Sequence, residues 1–183
     1  YGMNLRRGAD AVLVGVNTIL PDDPSLTARR MQGGAWKVAK PIRRIVLDSL
    51  GRTPSNAKVS SDEFASLTTI VVSARALKPQ AALTKRNNVL VAPLARSATR
   101  NPRPQIDLRW LLKKLGSESV TSLLVEGGGE VNASFLLGGF AHRVAFFYAP
   151  KILGGRDSPR AVAGGGVTRL GDAIQLRNIE WRR

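Results

Sequence analysis

The sequence contains no cysteine, and His142 is the single histidine among its 183 residues. Without cysteine the chain forms no disulfide, offers no thiolate nucleophile and cannot hold a cysteine-ligated zinc, and one histidine cannot furnish a histidine-based metal cluster. We therefore predict no metal site. Any chemistry has to come from a cofactor or from the side chains of Asp, Glu, Lys, Arg, Ser and Thr.

Long apolar runs are also missing from the sequence. No stretch approaches the roughly 20 residues that span a bilayer, and no secretory signal pattern opens the chain. Hydrophobic residues make up 43% and charged residues 22% of the sequence, which is typical of globular proteins. We expect one compact domain over residues 1–183, soluble and cytoplasmic.

Acidic residues are few, since 13 Asp and Glu stand against 28 Lys and Arg for a net charge of +15. This excess makes nucleic-acid binding a competing hypothesis. The basic residues are distributed along the whole chain, however, and aromatic residues make up only 5% of it. Because a single-strand binder interleaves aromatic stacking platforms with its basic groove, the composition favours a basic face that attracts phosphorylated small molecules.

Short apolar runs, bounded by polar residues or glycine, predict β-strands. Because these runs are continuously apolar rather than alternating, both faces of each strand should be covered, which is typical of a mostly parallel sheet flanked by helices. The predicted strands cover residues 11–15, 45–47, 69–73, 89–91, 123–125 and 144–148. The sequence therefore predicts an α/β fold.

Helical patterns alternate with these strands, as crossover connections require. The clearest is the leucine stripe of residues 108–115, with Asp107 as its N-cap and Gly116 as its C-terminal stop. Weaker patterns predict helices over residues 79–86 and 130–137.

The remaining segments are rich in Pro, Gly, Ser, Asp and Arg. We interpret residues 20–41, 49–67 and 149–166 as loops, and loops of that length are uncommon unless they are functional. After Thr168, apolar residues separated by polar ones predict one or two half-exposed antiparallel strands.

The apolar strand at residues 123–125 continues through Glu126 into three glycines and then into a helix-like segment. Glycine lets backbone N–H groups approach a phosphate closely, and a helix start adds unpaired donors and the positive end of its dipole. The pattern predicts a binding site for the phosphate of a nucleotide. The alternative is that the glycines only form a tight strand-to-helix turn.

Two further segments place polar side chains after predicted strands. Residues 10–29 end a strand at Gly15 and continue into a threonine, paired carboxylates and an arginine, although Asn17 and Asp22 have the alternative role of capping turns before a proline. Residues 44–54 likewise end a strand with a hydroxyl and an arginine. Such a pair can hold the 2′-phosphate that distinguishes NADPH from NADH.

Together, these blocks resemble the reductase domain of riboflavin biosynthesis, the NADPH-dependent 5-amino-6-(5-phosphoribosylamino)uracil reductase. The resemblance rests on residues 5–29, on Leu47-Asp48-Ser49, on Glu126-Gly127-Gly128 and on residues 149–155. It implies a dihydrofolate-reductase-like α/β fold with a mostly parallel central sheet flanked by helices. It also implies that NADPH supplies a hydride to the ribosyl carbon bonded to the pyrimidine amine, which opens the sugar to a ribityl chain without a protein nucleophile.

The resemblance implies a set of site residues as well. Substrate contacts are implied at Arg6, Leu26, Arg29 and Glu126. NADPH contacts are implied at Thr18, Asp22, Ser49, Gly128, Gly129, Glu130, Val131, Asn132, Ala133 and Ser134. Arginines suit the substrate phosphate, and a carboxylate suits the amino or ring N–H groups of the pyrimidine.

Structural alternatives stand beside these roles. Glu126 can instead pair with a neighbouring arginine at the end of its strand. The hydroxyls of Thr18 and Ser49 can instead cap turns. The family often has an acidic residue at the position of His142, and we interpret this histidine as a surface substitution and not as a catalytic group.

The chain also departs from the family pattern. A first strand that bears a lysine and a Ser-Leu-Asp-Gly turn normally precedes the position of Leu5, and this sequence begins at Tyr1 without it. We therefore expect a fragment of a longer protein, whose upstream part in bifunctional relatives is a zinc deaminase. Relatives commonly pair, so a homodimer is expected, with residues 144–148 near the contact.

Three other functions remain open at this point. One is reduction of the pyrimidine phosphate that still carries its 2-amino group. Another is a non-catalytic, basic nucleic-acid-binding module on a reductase-like fold, which would bind DNA or RNA with steep salt dependence. A dihydrofolate-type reductase is the third, but fold does not determine substrate.

Overall fold

A computed structural model describes residues 1–76, 81–95, 105–152, 154–155 and 158–182. The chain divides into two compact units, Tyr1–Gly127 and Gly128–Arg183. The strands are β1 (Ala11–Gly15), β2 (Ala28–Gln32), β3 (Ala35–Lys40), β4 (Arg43–Leu47), β5 (Thr68–Ser73), β6 (Asn88–Ala92) and β7 (Leu123–Val125). The helices are α1 (Gly2–Arg7), α2 (Val16–Asp22), α3 (Lys58–Ser61), α4 (Ala81–Arg86), α5 (Leu108–Ser117) and α6 (Gly129–Leu137).

The first unit is built on a five-stranded sheet in the order β6-β5-β4-β1-β7. Every pairing in this sheet is parallel. All residues of β1 and β5 are buried, as their continuous apolar sequences predict. The α/β prediction and the mostly parallel sheet are confirmed, and each of the first five predicted strands is present.

Helix α5 confirms the leucine stripe. Leu111 and Leu115 are buried, and the Asp107 carboxylate accepts the Trp110 N–H at 3.0 Å as the N-cap. The helix continues through Gly116 to Ser117, so the predicted stop is wrong by one residue. The chain turns away at Ser119, which has a left-handed φ of 64° and donates its N–H to the Gly116 carbonyl.

The segment of residues 20–41 is not the loop that the sequence predicted. It contains the antiparallel hairpin of β2 and β3, reversed at Gly33 and Gly34 with φ of 59° and 76°. Two positive φ values are what a tight hairpin turn requires, so the Gly-Gly pair was the missed signal. Most of the hairpin is exposed, and without a buried face its sequence shows no apolar pattern.

Other elements also differ from the sequence predictions. The short helices α1, α2 and α3 were not predicted, and α2 contains Pro21. The helix predicted over residues 79–86 is present as Ala81–Arg86, whereas residues 79–80 lie outside the described part of the chain. None of the described helices is long and apolar enough to cross a membrane.

The second unit begins with α6, which confirms the helix predicted over residues 130–137. The strands predicted at residues 144–148 and after Thr168 are wrong, because the described residues after α6 contain only a 3-10 turn at Leu170–Asp172 and no strand. Among the described residues no strand pairs with the segment 144–148, and Phe147 and Tyr148 are exposed. The homodimer and the single-domain organisation stay predictions.

Candidate active site

The parallel sheet brings three of the predicted site segments to one edge. Strands β7, β1 and β4 are neighbours, and their carboxyl ends are followed by Glu126, by α2 with Thr18 and Asp22, and by Ser49. Ligands of open α/β sheets bind outside the carboxyl ends of the strands. The first unit therefore has a candidate active site at this edge.

An ion pair joins two of the predicted substrate residues. The Arg6 guanidinium donates from Nε and Nη2 to the two carboxylate oxygens of Glu126, at 2.8 and 2.5 Å. Its Nη1 donates to the Thr27 carbonyl oxygen at 3.1 Å. The structure thus shows the ion pair that the alternative interpretation of Glu126 described, while the role of Glu126 toward a substrate stays a prediction.

Arg29 has a different environment. Its Nε donates to the Thr27 hydroxyl at 2.8 Å and its Nη2 to the Ser25 hydroxyl at 2.7 Å. Among the described residues no carboxylate forms an ion pair with it. Two hydroxyls orient this half-buried guanidinium without neutralising it, so it keeps its charge for an anionic ligand.

Leu26 lies between the two hydroxyl residues that hold Arg29. It has a left-handed φ of 51° and its side chain is buried in the core with 2% exposed. A β-carbon disfavours this conformation, so neighbouring contacts must hold the segment in place. The predicted contact of Leu26 with a substrate stays a prediction.

The three cofactor residues predicted in the first unit carry unused polar groups. The side chains of Thr18 and Ser49 are half-buried and that of Asp22 is exposed, and none of them hydrogen-bonds within the described part of the chain. They do not cap the turns that the alternative interpretation assigned to them. Asn17 accepts a hydrogen bond from Arg52 at 3.0 Å instead of capping a turn.

A buried aspartate, which the sequence analysis did not identify as functional, shapes the turn after β4. Asp48 Oδ2 accepts the Thr53 N–H at 2.6 Å and the Thr53 hydroxyl at 2.7 Å. Its Oδ1 is buried without a hydrogen-bond partner and lies 4.0 Å from Arg52 Nε. The carboxylate therefore closes the turn that presents Ser49 and Arg52, and its position directly after an apolar strand was the available signal.

Helix α6 carries the predicted cofactor residues of the second unit. Its N-cap is the exposed Gly128, which has no side chain to cap the first-turn amides. The flank of the helix is covered by its own unit, since Gly129 O accepts the Ala163 N–H at 3.0 Å and Asn132 Nδ2 donates to Ala161 O at 2.9 Å. Because no side chain caps the first turn, its backbone amides are suited to bind an anion.

The remaining residues of α6 divide between solvent and the interior of their unit. Glu130 and Ser134 are exposed, Val131 is half-buried and Ala133 is buried. Ser134 Oγ donates to the Glu130 carbonyl at 2.8 Å, and Glu130 Oε1 accepts the Gly164 N–H at 3.4 Å. The roles of these side chains toward a cofactor stay predictions.

The resolved pKa shifts belong to structural carboxylates outside the predicted site. Hydrogen bonds from the Thr121 hydroxyl and then from the Thr121 and Ser122 amides lower the pKa of Asp10. Hydrogen bonds from Lys114 and then Arg43 lower the pKa of Glu118. Within the described residues, no group of His, Cys, Asp and Glu is arranged to hold a metal ion.

Comparison with known proteins decides the family. The model of the RibD C-terminal domain matches residues 3–183. This chain belongs to that family. It is 40% identical over 174 residues to the 2,5-diamino-6-ribosylamino-4(3H)-pyrimidinone 5′-phosphate reductase of Methanothermobacter thermautotrophicus, covering 94% of this chain and 74% of the relative. It is 35% identical over 173 residues to the riboflavin biosynthesis protein RibD of Actinobacillus pleuropneumoniae, covering 94% of this chain and 43% of that protein.

Solved structures agree on the fold. RibD of Acinetobacter baumannii superposes with a TM-score of 0.65 at 21% identity, covering 95% of this chain and 44% of that one. A pyrimidine reductase-like protein of Corynebacterium diphtheriae has a TM-score of 0.61 at 17% identity, covering 95% of this chain and 69% of that one. The dihydrofolate-reductase-like fold and the resemblance to riboflavin-pathway reductases are confirmed. The RibD C-terminal domain is a family of oxidoreductase enzymes.

Proposed function

We propose that this RibD C-terminal domain reduces the ribosyl side chain of 5-amino-6-(5-phosphoribosylamino)uracil to the ribityl form, with NADPH as hydride donor, in riboflavin biosynthesis. The observation that carries the proposal is the family match over residues 3–183. Two features of the site support it: Glu126 follows the carboxyl end of β7, and Arg29 has no carboxylate partner among the described residues. A second candidate substrate is the 2,5-diamino pyrimidine phosphate, favoured by the name of the M. thermautotrophicus relative.

The chain's own residues would bind and orient the substrate. Arg29, held by two hydroxyls and without a carboxylate partner in the described residues, would bind the 5′-phosphate. Arg6 would orient the Glu126 carboxylate through its two hydrogen bonds, and Glu126 would accept N–H groups of the pyrimidine. Binding in this way holds the ribosyl carbon in place, and orientation is a large part of such catalysis.

The proposed NADPH contacts use backbone amides and a cation. When bound, NADPH would supply the hydride, the step for which the protein has no group of its own. The uncapped first turn of α6 at Gly128 suits a phosphate. Ser49 and Arg52, presented by the Asp48–Thr53 turn, would take the 2′-phosphate.

The test is NADPH oxidation, followed at 340 nm, by the protein that carries this chain. We expect turnover to depend on a pyrimidine 5′-phosphate, and assaying the uracil and 2,5-diamino forms side by side identifies the substrate. Oxidation with neither compound, together with no NADPH binding, would refute the proposal. A steeply salt-dependent affinity for RNA or DNA without turnover would instead support the nucleic-acid alternative.

A substitution of Arg52 tests the proposed selectivity for NADPH over NADH. Removing the Arg52 guanidinium by Arg52→Ala should raise the KM for NADPH by roughly tenfold or more and leave the KM for NADH unchanged, because only NADPH carries the 2′-phosphate. Arg30→Ala is the matched control, since Arg30 is exposed on β2 and its guanidinium hydrogen-bonds, within the described part of the chain, to Gln32 at 3.5 Å. Equal effects of Arg52→Ala on both cofactors would remove the proposed contact.

A further inference from the structure

Arg44 is a fully buried arginine in the middle of the parallel sheet. It lies on β4, in register with Val12 of β1 and Thr68 of β5, and 0% of its surface is exposed. Its Nε donates to the Thr68 hydroxyl at 2.9 Å, and one hydrogen of Nη2 goes to the Val59 carbonyl at 3.1 Å. A charge in this place is costly unless every donor is satisfied.

The remaining donors of Arg44 join two loops. Nη1 and Nη2 donate to the two carboxylate oxygens of Asp62 at 2.7 and 2.8 Å, and Nη1 also donates to the Ser25 carbonyl oxygen at 3.0 Å. Every N–H of the guanidinium is thereby used. A second contact joins the same loops, since Asp23 Oδ1 accepts the Lys58 N–H at 2.8 Å.

Ser25, whose carbonyl accepts from Arg44, is the first residue of the substrate-binding turn, which we define as residues 25–27. The left-handed Leu26 follows directly. The two ends of the turn then hold the arginines of the site, because the hydroxyls of Ser25 and Thr27 accept from Arg29 and the Thr27 carbonyl accepts from Arg6. The position of both guanidinium groups therefore depends on how firmly the turn is held.

We propose that Arg44 and Asp62 form a positioning pair, which holds the substrate-binding turn in its left-handed conformation and thereby places Arg29 for the substrate phosphate and Arg6 for the Glu126 carboxylate. Arg44 does not itself contact the substrate. The inference rests on the proposed function of Arg29 and Arg6. Stability is weak evidence for keeping the pair, because well-packed apolar residues often replace buried ion pairs without loss of stability.

The test replaces the whole pair, so that no buried charge is left alone. In the double variant Arg44→Met and Asp62→Leu the protein should stay folded, the KM for the pyrimidine phosphate should rise by roughly tenfold, and kcat and the KM for NADPH should change by less than about threefold. The matched control is Arg43→Met with Glu118→Leu. Arg43 directly precedes Arg44 on β4, and its Nη2 lies 2.6 Å from Glu118 Oε2. Neither side chain hydrogen-bonds to residues 25–27, so we expect the KM to be unchanged.

A readout without turnover separates this inference from the proposed function. The Nε–Hε NMR resonance of Arg29, followed during titration with inorganic phosphate, should shift in the double variant and show at least roughly tenfold weaker phosphate affinity. Arg44→Lys, which offers one ammonium group in place of a planar fork, should give a smaller change of the same kind.

The outcomes are distinguishable. A folded double variant or Arg44→Lys variant whose Arg29 resonance and phosphate affinity equal those of the wild type overturns the positioning role. An equal KM change in the Arg43 and Glu118 control also overturns it, because the effect would then be general destabilisation. Absence of turnover in the wild type counts against the proposed function alone, since the Arg29 measurement does not require turnover.

Discussion

The ion pair between Arg6 and Glu126 supports a quantitative prediction. The side chains are 16% and 28% exposed and share two charge-assisted hydrogen bonds. Exposed pairs contribute about 0–1 kcal/mol, whereas breaking a buried pair costs about 3–5 kcal/mol. For this intermediate exposure we expect a coupling energy of about 1–2 kcal/mol.

A double-mutant cycle measures that coupling. The free energy of unfolding in urea is determined for the wild type, for Arg6→Ala, for Glu126→Ala and for the double variant, and the bond from Arg6 to the Thr27 carbonyl cancels in the cycle. The control cycle uses Arg182 and Glu180, whose side chains are 66% and 73% exposed. Because solvent screens this exposed pair, we expect its two single substitutions to be additive, with a coupling indistinguishable from zero.

The substrate adds a second part to this prediction. Glu126→Gln keeps the shape of the side chain but turns one oxygen into a donor, so kcat/KM for the pyrimidine phosphate should fall by roughly 10- to 100-fold. A coupling below about 0.3 kcal/mol would refute the pairing, because that is the additivity expected of independent sites. Unchanged kcat/KM in Glu126→Gln would refute the role of the carboxylate in binding.

Three further predictions concern a cation, a glycine and a carboxylate. Arg29→Ala should raise the KM for the pyrimidine phosphate by roughly 10- to 100-fold in steady-state kinetics, while Arg30→Ala leaves it unchanged. The reason is that Arg29 is half-buried and oriented by Ser25 and Thr27, whereas Arg30 is exposed. Gly129→Ala should destabilise the protein by about 1–3 kcal/mol in urea unfolding, since the new Cβ would overlap the Arg160 carbonyl oxygen. Gly116→Ala is its control and should be neutral or stabilising, because no described atom outside the backbone of its own helix lies within 4 Å of its Cβ position. The pKa of Asp10 is lowered by hydrogen bonds in the folded protein, so its contribution to stability is present at neutral pH and lost in acid. The difference in unfolding free energy between wild type and Asp10→Asn should therefore be constant above about pH 5 and decline as the pH falls from about 4 through the lowered pKa. A difference that persists at the lowest pH would contradict this.

Much of the sheet could be predicted from the sequence alone. The segments that became β1 and β5 are continuously apolar because the sheet covers them on both faces, and burial of that kind leaves a local pattern. The leucine stripe of α5 is readable for the same reason, as is the N-cap at Asp107. The polar blocks at the strand ends, including Glu126 and Arg29, were identified by the resemblance of their motifs.

Only the tertiary structure shows which residues that are distant in the sequence come into contact. Glu126 lies 120 residues from Arg6, and no local pattern shows which cation will meet a carboxylate at the end of a strand. Arg44 directly precedes the strand predicted over residues 45–47, and only the folded chain shows that its partners include Asp62 and the Ser25 carbonyl. Local sequence determines whether a segment buries its side chains, whereas strand order and loop packing determine which polar groups come within hydrogen-bond distance. For this protein, local sequence was enough to predict the strands and the motifs at their ends. The pairing of the site residues depends on strand order and loop packing, so only the tertiary structure shows it.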